Sequence, residues 1–109
     1  MSRAKGNLAE DKACEFLLDN GFSVVERNFY SRFGEIDIIA TKDEILHFIE
    51  VKSADEYEKA IQNITKSKLS KIIRTSDIYL KKCVYNGDFE YDAIIIANNT
   101  ITYLENITI

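Results

Sequence analysis

The apolar positions of this chain change period several times, and each change marks an element. Ala9, Ala13, Phe16 and Leu17 recur at the i, i+4, i+7, i+8 spacing of one helix face, and Asn20-Gly21 supplies a stop suited to a left-handed cap. A first helix is therefore predicted over residues 2–20. Phe22, Val24 and Glu26 then alternate with Ser23, Val25 and Arg27, the period of a strand ending near Asn28. Residues 34–40 and 46–52 are β-branched or aromatic runs separated by the polar Thr41-Lys42-Asp43-Glu44, the pattern of a β-hairpin. Residues 53–59 read as a loop or frayed helical turn. Thr65 is a fitting N-cap for a long helix whose buried stripe is Leu69, Ile72, Ile73, Ser76 and Leu80, ending near Cys83. Tyr85-Asn86-Gly87-Asp88 forms a turn into a strand over 90–97, where Ala93-Ile94-Ile95-Ile96-Ala97 is an unbroken apolar run expected to be buried on both faces. Asn98-Asn99 turns the chain into a last strand over 101–107. The order α-β-β-β-α-β-β predicts an α/β domain spanning residues 1–109, with one mixed sheet of about five strands flanked by two main helices.

The hairpin carries charges that its apolar pattern does not need. A symmetric loop centred on the polar break pairs Ile39 with Leu46, Asp37 with Phe48, Glu35 with Glu50 and Phe33 with Lys52, all on one face of the sheet. Asp37 and Glu50 then become diagonal neighbours roughly 7 Å apart, and Glu35 faces Glu50 as an unfavourable like-charge pair. One reading is that these groups face water near the open end of the hairpin, with Lys52 neutralising Glu50. The other is a bound divalent cation. Mg²⁺ prefers oxygen ligands, commonly one or two carboxylates plus water and substrate phosphate. A lysine two residues after a liganding glutamate points the same way and can orient a water or stabilise a phosphate transition state. Glu10 falls on the shoulder of the first helix's apolar stripe, one turn after Gly6. It is either an exposed helical glutamate or a third acid completing the shell.

Two further segments suit a phosphate-bearing partner. The connection Asn28-Phe29-Tyr30-Ser31-Arg32-Phe33 mixes aromatic and basic groups, which fits either a turn with aromatic packing or a nucleic-acid contact, with Arg27 and Arg32 as its cations. Lys66 and Lys68 sit in the first turn of the long helix, where the macrodipole disfavours cations but free backbone N–H groups favour a phosphate.

Composition narrows the picture. The 109 residues suffice for one core, and 46% hydrophobic with 29% charged residues is a globular balance. No apolar run reaches membrane-spanning length, and the first residues lack the apolar segment of a signal peptide, so a cytoplasmic protein without a membrane partner is expected. Cys14 and Cys83 are too far apart in sequence to suggest a zinc motif, and buried thiols are expected. A net charge of −4 argues against a generic nucleic-acid coat. Part of that charge lies in the proposed cation site.

Gly6-x-x-x-Glu10-x-x-Ala13, Gly34-Glu35-Ile36-Asp37-Ile38-Ile39-Ala40 and Phe48-Ile49-Glu50-Val51-Lys52 together resemble the YraN-type family of bacterial proteins. That family is placed in the PD-(D/E)xK nuclease superfamily, related to archaeal-type Holliday junction resolvases. The resemblance continues through Ile64-Thr65, Lys68 and Tyr79-Leu80 to Tyr91-Asp92. It implies a restriction-endonuclease-like fold, Asp37 and Glu50 as Mg²⁺ or Mn²⁺ ligands, Lys52 as catalytic lysine, Glu10 as the helix-borne acid and Lys68 near a phosphate. The implied activity is phosphodiester hydrolysis of structured or branched DNA, with a weak homodimer as the expected assembly. Glu35 is left as an accessory acid. The chain departs from the family's usual pattern at Ala9, Ser53 and Lys66, none of them a catalytic group. The competing readings are a non-catalytic nucleic-acid-binding module of the same fold and an interaction protein with a remnant metal site.

Overall fold

The computed structural model describes residues 2–108, with side chains described over 8–108. Helix α1 (Ser2–Asp19) leads into strands β1 (Ser23–Ser31), β2 (Gly34–Lys42) and β3 (Ile45–Ala54). A short helix α2 (Tyr57–Gln62) and a long helix α3 (Lys66–Lys82) follow, then β4 (Asp88–Ala97) and β5 (Thr100–Leu104). The strands make one sheet in the spatial order β1-β2-β3-β4-β5, antiparallel except for the parallel β3–β4 pair. A parallel pair requires a long crossover, and α2 with α3 supply it. This is the expected mixed α/β architecture, and it is consistent with a restriction-endonuclease-like fold.

The sheet separates two apolar layers. On one face Ala13 and Leu17 of α1 pack with Ile38, Ala40, Ile49 and Ile94. On the other, Ile72 and Tyr79 of α3 pack with Phe29, Ile36 and Phe48. Consecutive residues such as Phe48 and Ile49 enter opposite layers, as strand geometry demands. The run 93–97 is covered on both faces and lies between β3 and β5, as its unbroken apolar character predicts.

Helix ends follow their residues. Gly21 adopts φ +86°, Phe22 N–H donates to the Leu17 carbonyl at 2.9 Å, and Gly21 N–H donates to that of Leu18 at 3.3 Å. This is a Schellman cap closed by apolar contact between Phe22 and Leu17. Thr65 caps α3 by accepting from Lys68 N–H at 3.2 Å.

Four local expectations are corrected. β1 continues through Ser31, because Phe29, Tyr30 and Ser31 pair with Ile36, Glu35 and Gly34; the ladder's register shift lies earlier, between Val24 and Glu26, and Asn28 at φ +55° leaves the register unchanged. Of residues 53–59, read as a loop or frayed helical turn, Ser53 and Ala54 instead end β3, while Tyr57 opens a short helix that runs on to Gln62 with Ala60 buried. β5 ends at Leu104, since Asn106 turns at φ +55° and Ile107 N–H bonds back to the Tyr91 carbonyl at 2.8 Å. Cys83 is exposed because it caps the end of α3, off the buried stripe, while Cys14 is half-buried.

Candidate active site

The hairpin turn is the two-residue Asp43-Glu44, both left-handed at φ +52° and +67°, as a tight hairpin requires. This moves the register by two residues from the expected one. Ile39 pairs with Phe48 rather than Leu46, and the same register continued by one step sets Asp37 opposite Glu50 rather than diagonal to it. Glu35 therefore does not face Glu50. A shift of two preserves each side chain's face, where a shift of one would invert it, so the grouping survives although the pairs change.

Ladder pairing between β2 and β3 stops at Ile38 and Ile49. Beyond it, the Asp37 carboxylate takes the place of a strand partner: Val51 N–H donates to Asp37 Oδ2 at 2.8 Å. Side-chain alternation also breaks here, since Ile36 and Ile38 enter opposite layers. The opening between the strands lets both faces of the sheet share one cavity of about 440 Å³. Its walls include Glu10 from α1, Asp37 from β2, Glu50 and Lys52 from β3, and Lys68 from α3. Glu35 also lines it. Gly6 lies outside the residues whose side-chain surroundings are described.

Two acids of this cavity, Asp37 and Glu10, hold their protons more tightly than usual. Burial, then Glu50 as a hydrogen-bonding and charged neighbour, pushes Asp37 up to about 8, against the pull of Val51 N–H and Lys52. Burial also raises Glu10, with Asp37 the next cause. Lys68 is shifted the other way, losing proton affinity first through burial and then through Lys52 beside it. Glu10 Oε1 and Glu35 Oε2 are buried without a hydrogen-bond partner. Crowded carboxylates with unsatisfied acceptor oxygens call for a cation, and an all-oxygen donor set suits a hard one. The residues present therefore fit Mg²⁺ or Mn²⁺.

The basic candidates divide. Lys52 and Lys68 face the cavity together. Lys71, one turn beyond Lys68, faces it too; sequence reasoning missed it, although its i, i+3 spacing from Lys68 was available. Arg27 is committed to α1, with Nη2 at 2.8 Å from Asp11 Oδ1 and 3.5 Å from Glu10 Oε1. Arg32 is exposed, its guanidinium 4.9 Å from the centre of the Phe33 ring, with that of Arg74 at 5.4 Å. Lys66 is exposed and borders a separate shallow depression with Leu69 and Arg74.

Glu10, Asp37 and Glu50 do not form the tightest ligand group. Among the described residues, His47, Glu90 and Asp92 are the three whose donor atoms all lie within 4.8 Å of one another. Glu10 is drawn aside by Arg27, and Asp37 is engaged by Val51 N–H, which keeps the first set more open. The second group arises from the parallel pairing, where His47 lies beside Glu90 and Ile49 beside Asp92. His47 Nδ1 is 2.6 Å from Asp92 Oδ2 and 3.5 Å from Glu90 Oε2. Tyr103 O–H donates to Asp92 Oδ2, and Asn106 N–H donates to Asp92 Oδ1 at 2.9 Å. The hydrogen bond with Asp92, followed by burial, pushes Glu90 up to about 7. Sequence reasoning missed this group; the alternating acids Asp88, Glu90 and Asp92 ahead of the apolar run and the chain's one histidine were its signals.

Comparison with known proteins gives a match over residues 9–96 to a family described as "Uncharacterised protein family UPF0102". The chain is 65% identical to a UPF0102 protein of Sulfurimonas denitrificans over 109 residues, covering all of both chains. It is 53% identical to one from Aliarcobacter butzleri over 99% of each chain. A third, UPF0102 protein HPAG1_0809 of Helicobacter pylori, is 56% identical over 97% of this chain and 92% of its own.

Proposed function

Because the chain belongs to the family UPF0102, the YraN-type family its motifs resemble, we propose that it is a divalent-metal-dependent endonuclease hydrolysing phosphodiesters in structured or branched DNA. The observation that carries this reading is the convergence of Glu10, Asp37, Glu50, Lys52 and Lys68 on one cavity. Three acids, a strand-borne lysine and a lysine at a helix start are what metal-assisted phosphodiester hydrolysis needs, and the superfamily resemblance points the same way.

Asp37 and Glu50, with Glu10 beside them, would hold Mg²⁺ or Mn²⁺. When bound, such an ion polarises the phosphoryl group and lowers the pKa of an attacking water. Lys52 shares the cavity with Glu50 and is half-buried, so its ammonium is placed to orient that water or to balance charge gathering on the phosphate. Lys68 has its backbone N–H in the first turn of α3 and its side chain in the cavity, and it holds the substrate phosphate before reaction. Val51 N–H fixes the Asp37 carboxylate, and Arg27 restrains Glu10. Arg32 and Arg74 around Phe33 offer cations to flanking phosphates.

The test is a panel of labelled four-way junction, flap, duplex and single-stranded oligonucleotides incubated with Mg²⁺, Mn²⁺ or EDTA. Metal-dependent cleavage of at least one branched substrate is expected. Binding without cleavage in either metal favours the non-catalytic module of the same fold.

A further inference from the structure

A second cavity, of about 370 Å³, opens against the other half of α1 and shares no lining residue with the first. Phe16 of α1 and Asn20 just beyond its end border it, while His47, Glu90 and Tyr103 rise from the sheet. His47 and Glu50 are only three residues apart on β3, yet strand alternation turns them to opposite faces. The second cavity is therefore a separate site rather than an extension of the first.

Its polar groups are arranged around one atom. Asp92 Oδ2 lies at 2.6 Å from His47 Nδ1, while Glu90 Oε2 and the Tyr103 hydroxyl both lie at 3.5 Å from it. A ring nitrogen carries at most one proton and can satisfy one of these oxygens. Asp92 takes that bond and is fully buried, with Tyr103 O–H and Asn106 N–H as further donors. Glu90, itself in hydrogen-bonding contact with Asp92, is left as a second carboxylate at the mouth, with 22% of its side chain accessible. Two carboxylates, an imidazole and a phenol thus converge, and the bonds of His47 Nδ1 and of the Tyr103 hydroxyl both go to Asp92, so neither serves Glu90.

We infer that His47, Glu90 and Asp92 form a second metal site, selective for a borderline divalent cation such as Zn²⁺, and distinct from the hard-ion site of Asp37 and Glu50. An imidazole nitrogen with two carboxylates is a donor set for zinc-like ions, and Mg²⁺ prefers oxygen alone. At a tetrahedral ion with bonds of about 2.1 Å, neighbouring donors stand roughly 3.4 Å apart. The 3.5 Å from Nδ1 to Glu90 Oε2 already matches, and the 2.6 Å to Asp92 Oδ2 must open by less than about 1 Å. The adjoining cavity leaves a fourth position for water or a ligand, as in zinc sites that do more than brace a fold. Phe22, edge-on to the imidazole at 5.0 Å, shields one side of the ring.

The chain has one histidine, so its imidazole NMR signals report on this site without assignment ambiguity. Apo protein would be titrated with Zn²⁺ and separately with Co²⁺. The His47 resonances should shift with Zn²⁺, and they should broaden with Co²⁺ as visible absorption develops. Both responses should persist in Asp37→Asn/Glu50→Gln, which removes the first site. Glu90→Gln should weaken Co²⁺ binding by more than the roughly 10–100-fold typical of losing an outer-shell partner. His resonances unmoved at saturating Zn²⁺ overturn the inference, a result that needs only folded wild-type protein. Responses that vanish in Asp37→Asn/Glu50→Gln overturn it too, since the ion then occupies the first site.

Discussion

Asp37 joins the chemistry of the first cavity to the stability of the whole chain. Its pKa, pushed to about 8 in the folded protein, lies above the ordinary carboxylate value. Between about pH 4 and pH 8 the native state therefore holds a proton that the unfolded chain has released. Stability must fall as pH rises through that window and flatten above it. Burial raises Glu10 in the same direction and adds to the slope. Urea midpoints measured in EDTA from pH 5 to 9 should decline for the wild type and decline less for Asp37→Asn, whose amide oxygen can still accept from Val51 N–H. A divalent metal held as proposed should oppose the loss: Mg²⁺ or Mn²⁺ at pH 8 should raise the melting temperature by linkage, and Asp37→Ala should abolish the rise. Lys68 makes a different prediction, because the proposed function has it meet the phosphate in the ground state. Lys68→Ala should weaken DNA binding and lower the salt dependence, measured as log K against log salt, by ~0.9 for one lost phosphate contact. An unchanged salt slope would remove Lys68 from the interface.

At the scale of elements, the ends of α3 show how local chemistry and fold can disagree. Val84 sits at the left-handed position after this helix, at φ +50°, and is 78% exposed. Tyr85 N–H donates to the Leu80 carbonyl at 3.0 Å and Val84 N–H to that of Lys81 at 3.2 Å, a cap that favours glycine. A β-branched residue there is strained by roughly 1–2 kcal/mol. Val84→Gly should stabilise the protein by about 1 kcal/mol in thermal or urea unfolding, glycine's greater unfolded-state entropy taking back part of the gain. The same tension explains what the sequence did and did not disclose. Gly21 and Thr65 are residues whose type dictates their cap, and both ends were legible. Asp43-Glu44 carries no Asn-Gly or Asp-Gly signal, so the turn was placed symmetrically in the polar break and the register came out two residues off. The run 28–31 reads as a connection because its continuation as strand depends on pairing with β2, a tertiary fact.

Across the whole molecule, the cavity residues Glu10, Asp37, Glu50, Lys52 and Lys68 were legible as chemistry-bearing positions, because a register error of two residues still leaves Asp37 beside Glu50. The opening between β2 and β3 was not, since it depends on a side chain replacing a ladder partner. Nor was the His47–Glu90–Asp92 group, which exists only through a parallel pairing of strands separated by two helices. Symmetric cleavage of a junction requires two cavities related by a two-fold axis. Sedimentation should accordingly show a homodimer on a four-way junction, and a strict monomer both free and bound would restrict the proposed activity to single-strand nicking. The most direct test of the account is single-turnover cleavage of the preferred branched substrate, at saturating enzyme with Mn²⁺, by the wild type and Lys52→Ala. The wild type should cleave and fall silent in EDTA, while Lys52→Ala, equally stable and binding equally well, should be slower by roughly a hundredfold or more. Cleavage by Lys52→Ala at the wild-type rate would contradict the assignment of Lys52, and with it the reading of this cavity as a nuclease active site.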